Sequence, residues 1–154
     1  MKNKQTKTRT NTDRSIKIEC NGGFREVGNN AVILDNGKDR ISMEFGFNVS
    51  DGIGPLIPKK PVDGVIICHG HLDHCGSVPE LWNVQKKKPK VFGTKATKDL
   101  AELVLYDSLK VGKLKGKPRN FGRNDIKNVL HNWNLVNYKK PFKIGDTKIT
   151  FHDA

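Results

Sequence analysis

The chain lacks any long hydrophobic run, and its longest uninterrupted apolar stretches are only a few residues. A membrane-spanning helix needs ~20 such residues, so we expect no membrane partner. Residues 1–14 are basic and polar and lack the apolar centre of a secretory signal. We therefore expect a disordered basic tail over residues 1–14 and one cytoplasmic domain over residues 15–154, long enough to bury a core.

Cysteine is also scarce. Cys20, Cys68 and Cys75 form no C-x-x-C pair, and an odd number leaves at least one thiol free. This pattern argues against a disulfide framework and fits a reducing compartment. Each cysteine is interpreted most simply as a small buried hydrophobe.

Acidic residues are outnumbered, with 16 Asp and Glu against 28 Lys and Arg, which gives a net charge of +12. Such an excess favours a nucleic-acid partner, although a merely soluble basic surface is the alternative. The candidate phosphate contacts, which could equally form a solvated face, are Lys86, Lys87, Lys88, Lys90, Lys113, Lys115, Lys117, Arg119 and Arg123.

Strand signals lie on both sides of a strand–helix alternation, which predicts a mixed α/β sandwich rather than a doubly wound nucleotide fold. Within residues 62–68, Val65, Ile66, Ile67 and Cys68 are apolar without alternation, as in a strand covered on both faces. Shorter strands are predicted at residues 16–18, 31–34, 41–43 and 90–93, and a hairpin over residues 142–151 turns at Gly145-Asp146.

Three helices are predicted from their caps and apolar spacing. Ser77 and Glu80 have the capping-box spacing at the start of the first. The second has Thr97 as its N-cap and an inward stripe of Leu100, Leu103, Val104 and Leu109. The third begins at Asn124, runs through Trp133, and has Ile126, Val129 and Leu130 facing inward.

Three of the five histidines lie in one short segment, HGHLDHCG, residues 69–76. Imidazole and carboxylate at a strand end suit zinc, iron or manganese. His69 and His71 can share one metal, and Asp73 and His74 can aim at a second a few Å away. Two metals can activate a hydroxide and clamp a phosphoryl group. The alternative is a solvated polar loop that happens to be rich in histidine.

The order His69-x-His71-x-Asp73-His74 resembles the signature of the metallo-β-lactamase superfamily of binuclear metallohydrolases. Further segments resemble its β-CASP ribonuclease branch, which contains ribonuclease J and the cleavage-factor-type RNA nucleases. They are GGFREVGNN (22–30), ISMEFGF (41–47), HGHLDHCGSVPEL (69–81) and VFGTKATKDLAELVLYDSLK (91–110). The resemblance covers nearly all of residues 16–154. It implies an αββα sandwich that hydrolyses RNA phosphodiesters with two zinc ions, manganese or iron being alternatives.

The resemblance also implies roles for individual residues. His69 and His71 would ligate the first metal, and Asp73 and His74 the second. Asp73 would additionally handle the proton of the attacking hydroxide, which makes it the expected catalytic residue. Glu44 occupies the family's early acidic motif, where aspartate is usual.

Several ligands of the family's complete site follow the strand that resembles KITFHDA and do not occur in this sequence. We therefore expect the N-terminal portion of such a domain, inactive alone, which could be a fragment, a homo-oligomer subunit or one half of an enzyme whose C-terminal half is encoded separately. His152 could stand in as a ligand, though a surface histidine is the simpler interpretation. For His131, a favourable position at a helix C-terminus is sufficient explanation.

Two other functions remain open: a non-catalytic RNA-binding subunit, and a hydrolase of a small ester or thioester, against which the charge argues. Gly22, Gly23 and Gly28 could cradle a phosphate, but a turn is the simpler interpretation because the P-loop Lys-Ser/Thr is lacking. Trp82 and Trp133 could stack on bases, yet a core position is the simpler interpretation for both.

Overall fold

The computed structural model describes residues 15–153, so the predicted tail over residues 1–14 lies outside the described residues. Within that range a single sheet has six strands in the spatial order of the sequence. The first three pair antiparallel and the last four pair parallel, so the third strand belongs to both sets. The strands are β1 (Lys17–Gly22), β2 (Ala31–Asp35), β3 (Arg40–Met43), β4 (Gly64–Ile66), β5 (Lys90–Gly93) and β6 (Trp133–Leu135).

Helices cover one face of this sheet and a hairpin lies on the other. The helices are α1 (Leu72–Cys75), α2 (Val78–Val84), α3 (Lys95–Leu114) and α4 (Arg123–His131). The hairpin pairs β7 (Phe142–Ile144) with β8 (Thr147–Ile149) in antiparallel fashion. The predicted mixed α/β class, the hairpin and the turn at Gly145-Asp146 are confirmed.

Alternation along the strands divides the core into two layers. Ile33, Val65 and Val91 face the helices and are fully buried in the larger cluster. Their neighbours Ile41, Ile66 and Phe92 face the other way, against Ile144 and Phe151 of the hairpin side. All three residues of β4 are buried, as the non-alternating apolar run predicted.

The predicted inward stripe of α3 is partly wrong. The helix begins one turn earlier than predicted, because Thr94 is the N-cap and its Oγ1 accepts a hydrogen bond from the Thr97 amide at 3.1 Å. The buried face carries a different set of side chains, several of them small: Thr97, Ala101, Leu105, Ser108 and Gly112. Leu100 and Leu103 are exposed, whereas Val104 and Leu109 pack against the core.

Two helix caps also differ from prediction. In the described chain the Ser77 side chain makes no capping hydrogen bond, and Glu80 instead accepts one from the Asn120 side chain at 2.9 Å. The N-cap of α4 is Gly122 rather than Asn124, and its amide donates to the Asp125 carboxylate at 2.7 Å.

Trp133 lies in a strand that the sequence patterning missed, not at the end of a helix. Its indole is buried and donates to the Gly93 carbonyl at 3.3 Å, and Trp82 packs against the same core. The core interpretation is therefore confirmed for both tryptophans. Among the described helices, none combines the length and apolar character needed to cross a bilayer.

Leu105 and Leu103 offer a matched test of the α3 orientation. Leu105→Ala should lower the free energy of unfolding by about 2–5 kcal/mol, because it opens a cavity beneath a fully buried side chain. Leu103→Ala should change it by less than about 0.5 kcal/mol, because that side chain is 67% exposed. Urea denaturation followed by circular dichroism measures both, and equal losses would contradict this orientation.

Candidate metal centre

The four predicted ligands lie together where the chain leaves β4. The ring centroids of His69 and His71 are 4.1 Å apart, and those of His69 and His74 are 5.1 Å apart. His74 Nε2 lies 3.4 Å from Asp73 Oδ2. His69 and His71 are exposed, whereas Asp73 and His74 are half-buried. Asp73 and His74 lie in a short helix, α1, rather than only a turn, whereas His71 is the N-cap of this helix and His69 precedes it.

A neighbouring segment, Glu44–Phe47, holds the backbone of this motif. The Phe45 amide donates to the His74 carbonyl at 2.7 Å, and the Phe47 amide donates to the Leu72 carbonyl at 3.0 Å. On the other side of the motif, the Asn30 amide donates to the Asp73 carbonyl at 3.0 Å. The motif therefore lies between the residue that precedes β2 and the segment that follows β3, which fixes its backbone before any ligand binds.

Gly46 makes this close approach possible. A Cβ atom at Gly46 would overlap the Asp73 carbonyl, and one at Gly76 would overlap the Phe47 ring. Neither position therefore has room for a side chain. The resemblance identifies the segment ISMEFGF, which contains the acidic residue Glu44. Only the packing shows why Gly46 in this segment is required.

Glu44 lies between the two halves of the motif and has a strained backbone, with φ at 59°. Its Oε1 accepts a hydrogen bond from the Cys68 amide at 3.0 Å. Its Oε2 lies 3.6 Å from His74 Nδ1, and both atoms are buried without a hydrogen-bond partner among residues 15–153. Burial raises the pKa of Glu44 to about 7, and the Asp73 carboxylate adds to the rise.

The same surroundings favour neutral imidazole and neutral thiol. Burial lowers the pKa of His74, and the nearby His69 and His71 lower it further, while Asp73 raises it. Neutral imidazole is the form that binds metal. Partial burial of the thiol and the Glu44 carboxylate raise the pKa of Cys68 to about 12, so this thiol is protonated in the metal-free chain although the residue is exposed.

The donor atoms of the motif are of the chemical types that bind a metal ion. His74 turns Nε2 toward Asp73 and Nδ1 toward Glu44, which is how a carboxylate orients a ligating histidine. Glu44 Oε2 and His74 Nδ1 are both buried without a hydrogen-bond partner, so the described residues alone do not satisfy the hydrogen-bonding capacity of these two atoms. Among residues 15–153, however, no three histidine, cysteine, aspartate or glutamate side chains have converged into a ready metal-binding group. The predicted ligand set therefore remains a prediction.

The other candidate residues lie outside this cluster. His131 is exposed and shares a cleft with Trp82 and Trp133. His152 is exposed beside Cys68 and Tyr138, at the edge of the motif. Gly23 and Gly28 have φ values of +82° and +83° in a loop that no helix follows, as the turn interpretation expects.

Some of the predicted phosphate contacts are engaged within the protein. Lys87 pairs with Asp63 at 2.8 Å, and the Lys88 ammonium lies 4.9 Å from the Trp82 ring centroid. The Arg119 guanidinium lies 3.9 Å from the Phe47 ring centroid and donates to the Gly52 carbonyl. Arg119 therefore contributes to packing behind the motif, and its role as a phosphate contact remains a prediction.

Residues 24–134 match the family described as the Metallo-beta-lactamase superfamily. Because this match spans most of the chain, the protein belongs to that superfamily. The fold class inferred from the motif is thereby confirmed.

Curated relatives agree with the narrower resemblance. "Transcription termination factor FttA" of Lokiarchaeum sp. is 30% identical over 152 residues, covering 91% of this chain and 23% of its own length. "RNase aCSPSF2" of Saccharolobus solfataricus is 29% identical, covering 86% and 27%. "RNase J-like protein" of Methanocaldococcus jannaschii is 29% identical, covering 90% and 31%. The chain thus spans about a quarter of the length of the relatives it matches.

The steric role of Gly46 can be tested by adding one methyl group. Gly46→Ala should lower the free energy of unfolding by about 1–3 kcal/mol or more, because the motif backbone must move to admit the Cβ. Gly122→Ala is the control, since its Cβ would meet only an Asp125 oxygen at 3.8 Å. Gly122→Ala should lower the free energy of unfolding by no more than about 1 kcal/mol. Chemical denaturation distinguishes the two, and a neutral Gly46→Ala would contradict the close approach.

The raised pKa of Glu44 predicts a pH-dependent stability in the metal-free chain. The folded state holds this proton up to about pH 7, against 4.5 ordinarily. The stability contributed by protonated Glu44 is therefore complete below about pH 4.5 and is lost as the pH rises to 7. The stability of wild type relative to Glu44→Gln should fall by about 3 kcal/mol across this window.

Glu19→Gln provides the control with the opposite sign. The hydrogen bonds from Arg40 lower the pKa of Glu19, so its contribution is present at neutral pH and is lost as the pH falls. Urea unfolding at a series of pH values measures both differences. A difference between wild type and Glu44→Gln that does not change with pH would contradict the buried, protonated carboxyl.

Proposed function

We propose that the protein is part of a metal-dependent ribonuclease of the β-CASP type, which hydrolyses RNA phosphodiesters at a two-zinc site. The observation that carries this proposal is the gathering of His69, His71, Asp73 and His74 at one end of the sheet. The ribonuclease names of two relatives and the net charge of +12 support RNA as the substrate.

Each residue has a definite task in this proposal. His69 and His71 would hold one ion, and Asp73 and His74 the other. Bound there, the metals would supply an activated hydroxide and stabilise developing charge on the phosphate. Asp73 would accept the proton that the attacking water loses when it becomes hydroxide. Glu44, through its Oε2 near His74 Nδ1, would keep that imidazole turned toward the metal.

We further propose that the four residues are only part of the complete site. A mononuclear catalytic zinc ordinarily takes three protein ligands, so two ions need more than four. The remaining ligands would come from additional polypeptide, from a separately encoded half or from a second copy. The 154-residue chain alone should therefore bind zinc weakly and hydrolyse little RNA. The free cysteines are consistent with a reducing, cytoplasmic location.

Zinc titration of the purified chain by calorimetry tests the cluster. Wild type should bind zinc weakly, and Asp73→Ala should reduce the heat because it removes one side of the His74–Asp73 pair while leaving His69 and His71. His131→Ala is the matched control and should leave binding unchanged, since that residue lies outside the cluster. A binding heat that is undiminished in Asp73→Ala would contradict the assigned ligands.

Cleavage assays then test the incompleteness of the site. Efficient metal-dependent RNA cleavage by the chain alone, abolished by Asp73→Ala, would show that the site needs no further ligands. Binding of labelled RNA that weakens steeply with salt supports the nuclease, whereas salt-insensitive ester hydrolysis supports a small-ester hydrolase.

A non-catalytic RNA-binding subunit is the second candidate. It is favoured by the absence of a converged metal group among residues 15–153 and by the relative named as a transcription termination factor. In that case RNA binding would persist without zinc binding and would be unaffected by Asp73→Ala.

A further inference from the structure

The loop between β1 and β2 carries exposed apolar side chains next to the candidate metal centre. Phe24 is 54% exposed and Val27 is 91% exposed. Arg25 lies between them, is exposed, and makes no ion pair within residues 15–153. A large aromatic ring and an unpaired guanidinium that lie side by side in solvent contribute little to folding. Their exposure is better explained by binding of an external partner.

The loop is joined directly to the metal motif. At its base, the Asn30 amide donates to the Asp73 carbonyl at 3.0 Å, and the Asn30 carbonyl accepts from the Gly46 amide at 3.0 Å. A Cβ at Gly28 would lie 3.3 Å from the Asp73 Cβ. The tip, residues 24–27, is therefore only a few residues along the chain from Gly28 and Asn30, the two positions at which the loop meets Asp73.

The tip is also fixed in place. Glu26 Oε1 accepts hydrogen bonds from the Gly23 amide at 3.3 Å and from the Asn29 side chain at 3.0 Å, which links the two arms of the loop. Arg25 and Asn29 both have φ at 62°. Such left-handed backbone in non-glycine residues costs free energy and persists where the surroundings enforce it, often at functional sites.

We propose that this loop is a substrate-positioning device that binds single-stranded RNA, with Phe24 stacking on a base and Arg25 pairing with an adjacent phosphate. An aromatic face accepts any base, and a guanidinium matches phosphate oxygens in its fork geometry. The loop would thus hold one nucleotide while the neighbouring phosphodiester enters the metal centre. This inference rests on the proposed function, because it names the substrate of the same site.

The two contacts give different signatures in binding of a fluorescein-labelled single-stranded RNA, measured by anisotropy in EDTA so that no hydrolysis occurs. Phe24→Ala should weaken binding about fivefold or more at every salt concentration, as loss of base stacking does. Phe24→Trp should restore it. Arg25→Ala should reduce the slope of log affinity against log salt by about 0.7, as loss of one phosphate contact on a single strand does.

Controls come from the same chain. Val84 is also 54% exposed but lies at the far end of α2, so Val84→Ala should change nothing. Lys38 pairs with Asp146 at the opposite end of the sheet, so Lys38→Ala should preserve the salt slope. An abasic oligonucleotide of equal length should bind wild type and Phe24→Ala alike, because it offers no base to stack.

The outcomes separate this inference from the proposed function. If wild type binds RNA and Phe24→Ala binds it equally well, the loop assignment is overturned while the nuclease proposal stands. If wild type binds no RNA at any salt concentration, both are overturned. If Phe24→Ala weakens binding to phosphatidylserine vesicles but not to RNA, the loop is a membrane contact and the inference is likewise overturned.

Discussion

The close packing of the Glu44–Phe47 segment against the metal motif is the constraint on which the candidate site depends. Two backbone hydrogen bonds join the segments, and a third joins the motif to Asn30. Because Gly46 has no side chain, the Asp73 carbonyl can approach its backbone closely. The motif is therefore positioned by the sheet, at the edge where β2 begins and β3 ends, and not by its own short helix. Preorganisation of this kind reduces the entropy lost when a ligand binds.

The same packing buries the Glu44 carboxyl without satisfying all of its hydrogen-bonding capacity. The strained backbone at this residue turns its carboxyl inward, where one oxygen accepts the Cys68 amide and the other faces His74 without a hydrogen bond. A side chain one methylene longer than the family's usual aspartate still reaches both halves of the motif. The buried, half-satisfied carboxyl costs free energy, and burying an unpaired polar group of this kind is expected mainly where function requires it.

Sequence patterning predicted the elements whose signals are local. The buried run of β4, the β7–β8 turn and the metal signature all depend on residues within a few positions of one another. Sequence patterning failed for the features that tertiary packing determines. On α3 the leucines at positions 100 and 103 were expected inward, but the buried face carries Ala101, Leu105 and Ser108, and the helix packs mainly against α1 and α4.

The candidate site shows the same division. The residue types and order of the motif were sufficient to predict which side chains cluster. The need for Gly46, the strain at Glu44 and the exposed tip at Phe24 arise from segments far apart in sequence. No local pattern in a single sequence encodes such contacts, although the resemblance had marked two of the segments that supply them.

The carboxylates of the molecule differ in whether a lysine or arginine pairs with them. Several carboxylates away from the motif have cationic partners: Glu19 and Asp35 pair with Arg40, and Asp63 pairs with Lys87. Within residues 15–153, Asp73 and Glu44 have no lysine or arginine partner, although the chain carries 28 such residues. Other carboxylates in that range also lack such a partner, so what distinguishes Asp73 and Glu44 is that both lie beside the imidazole of His74. A lysine in the place of that histidine would neutralise the carboxyls permanently, whereas a histidine leaves them free to accept a dication.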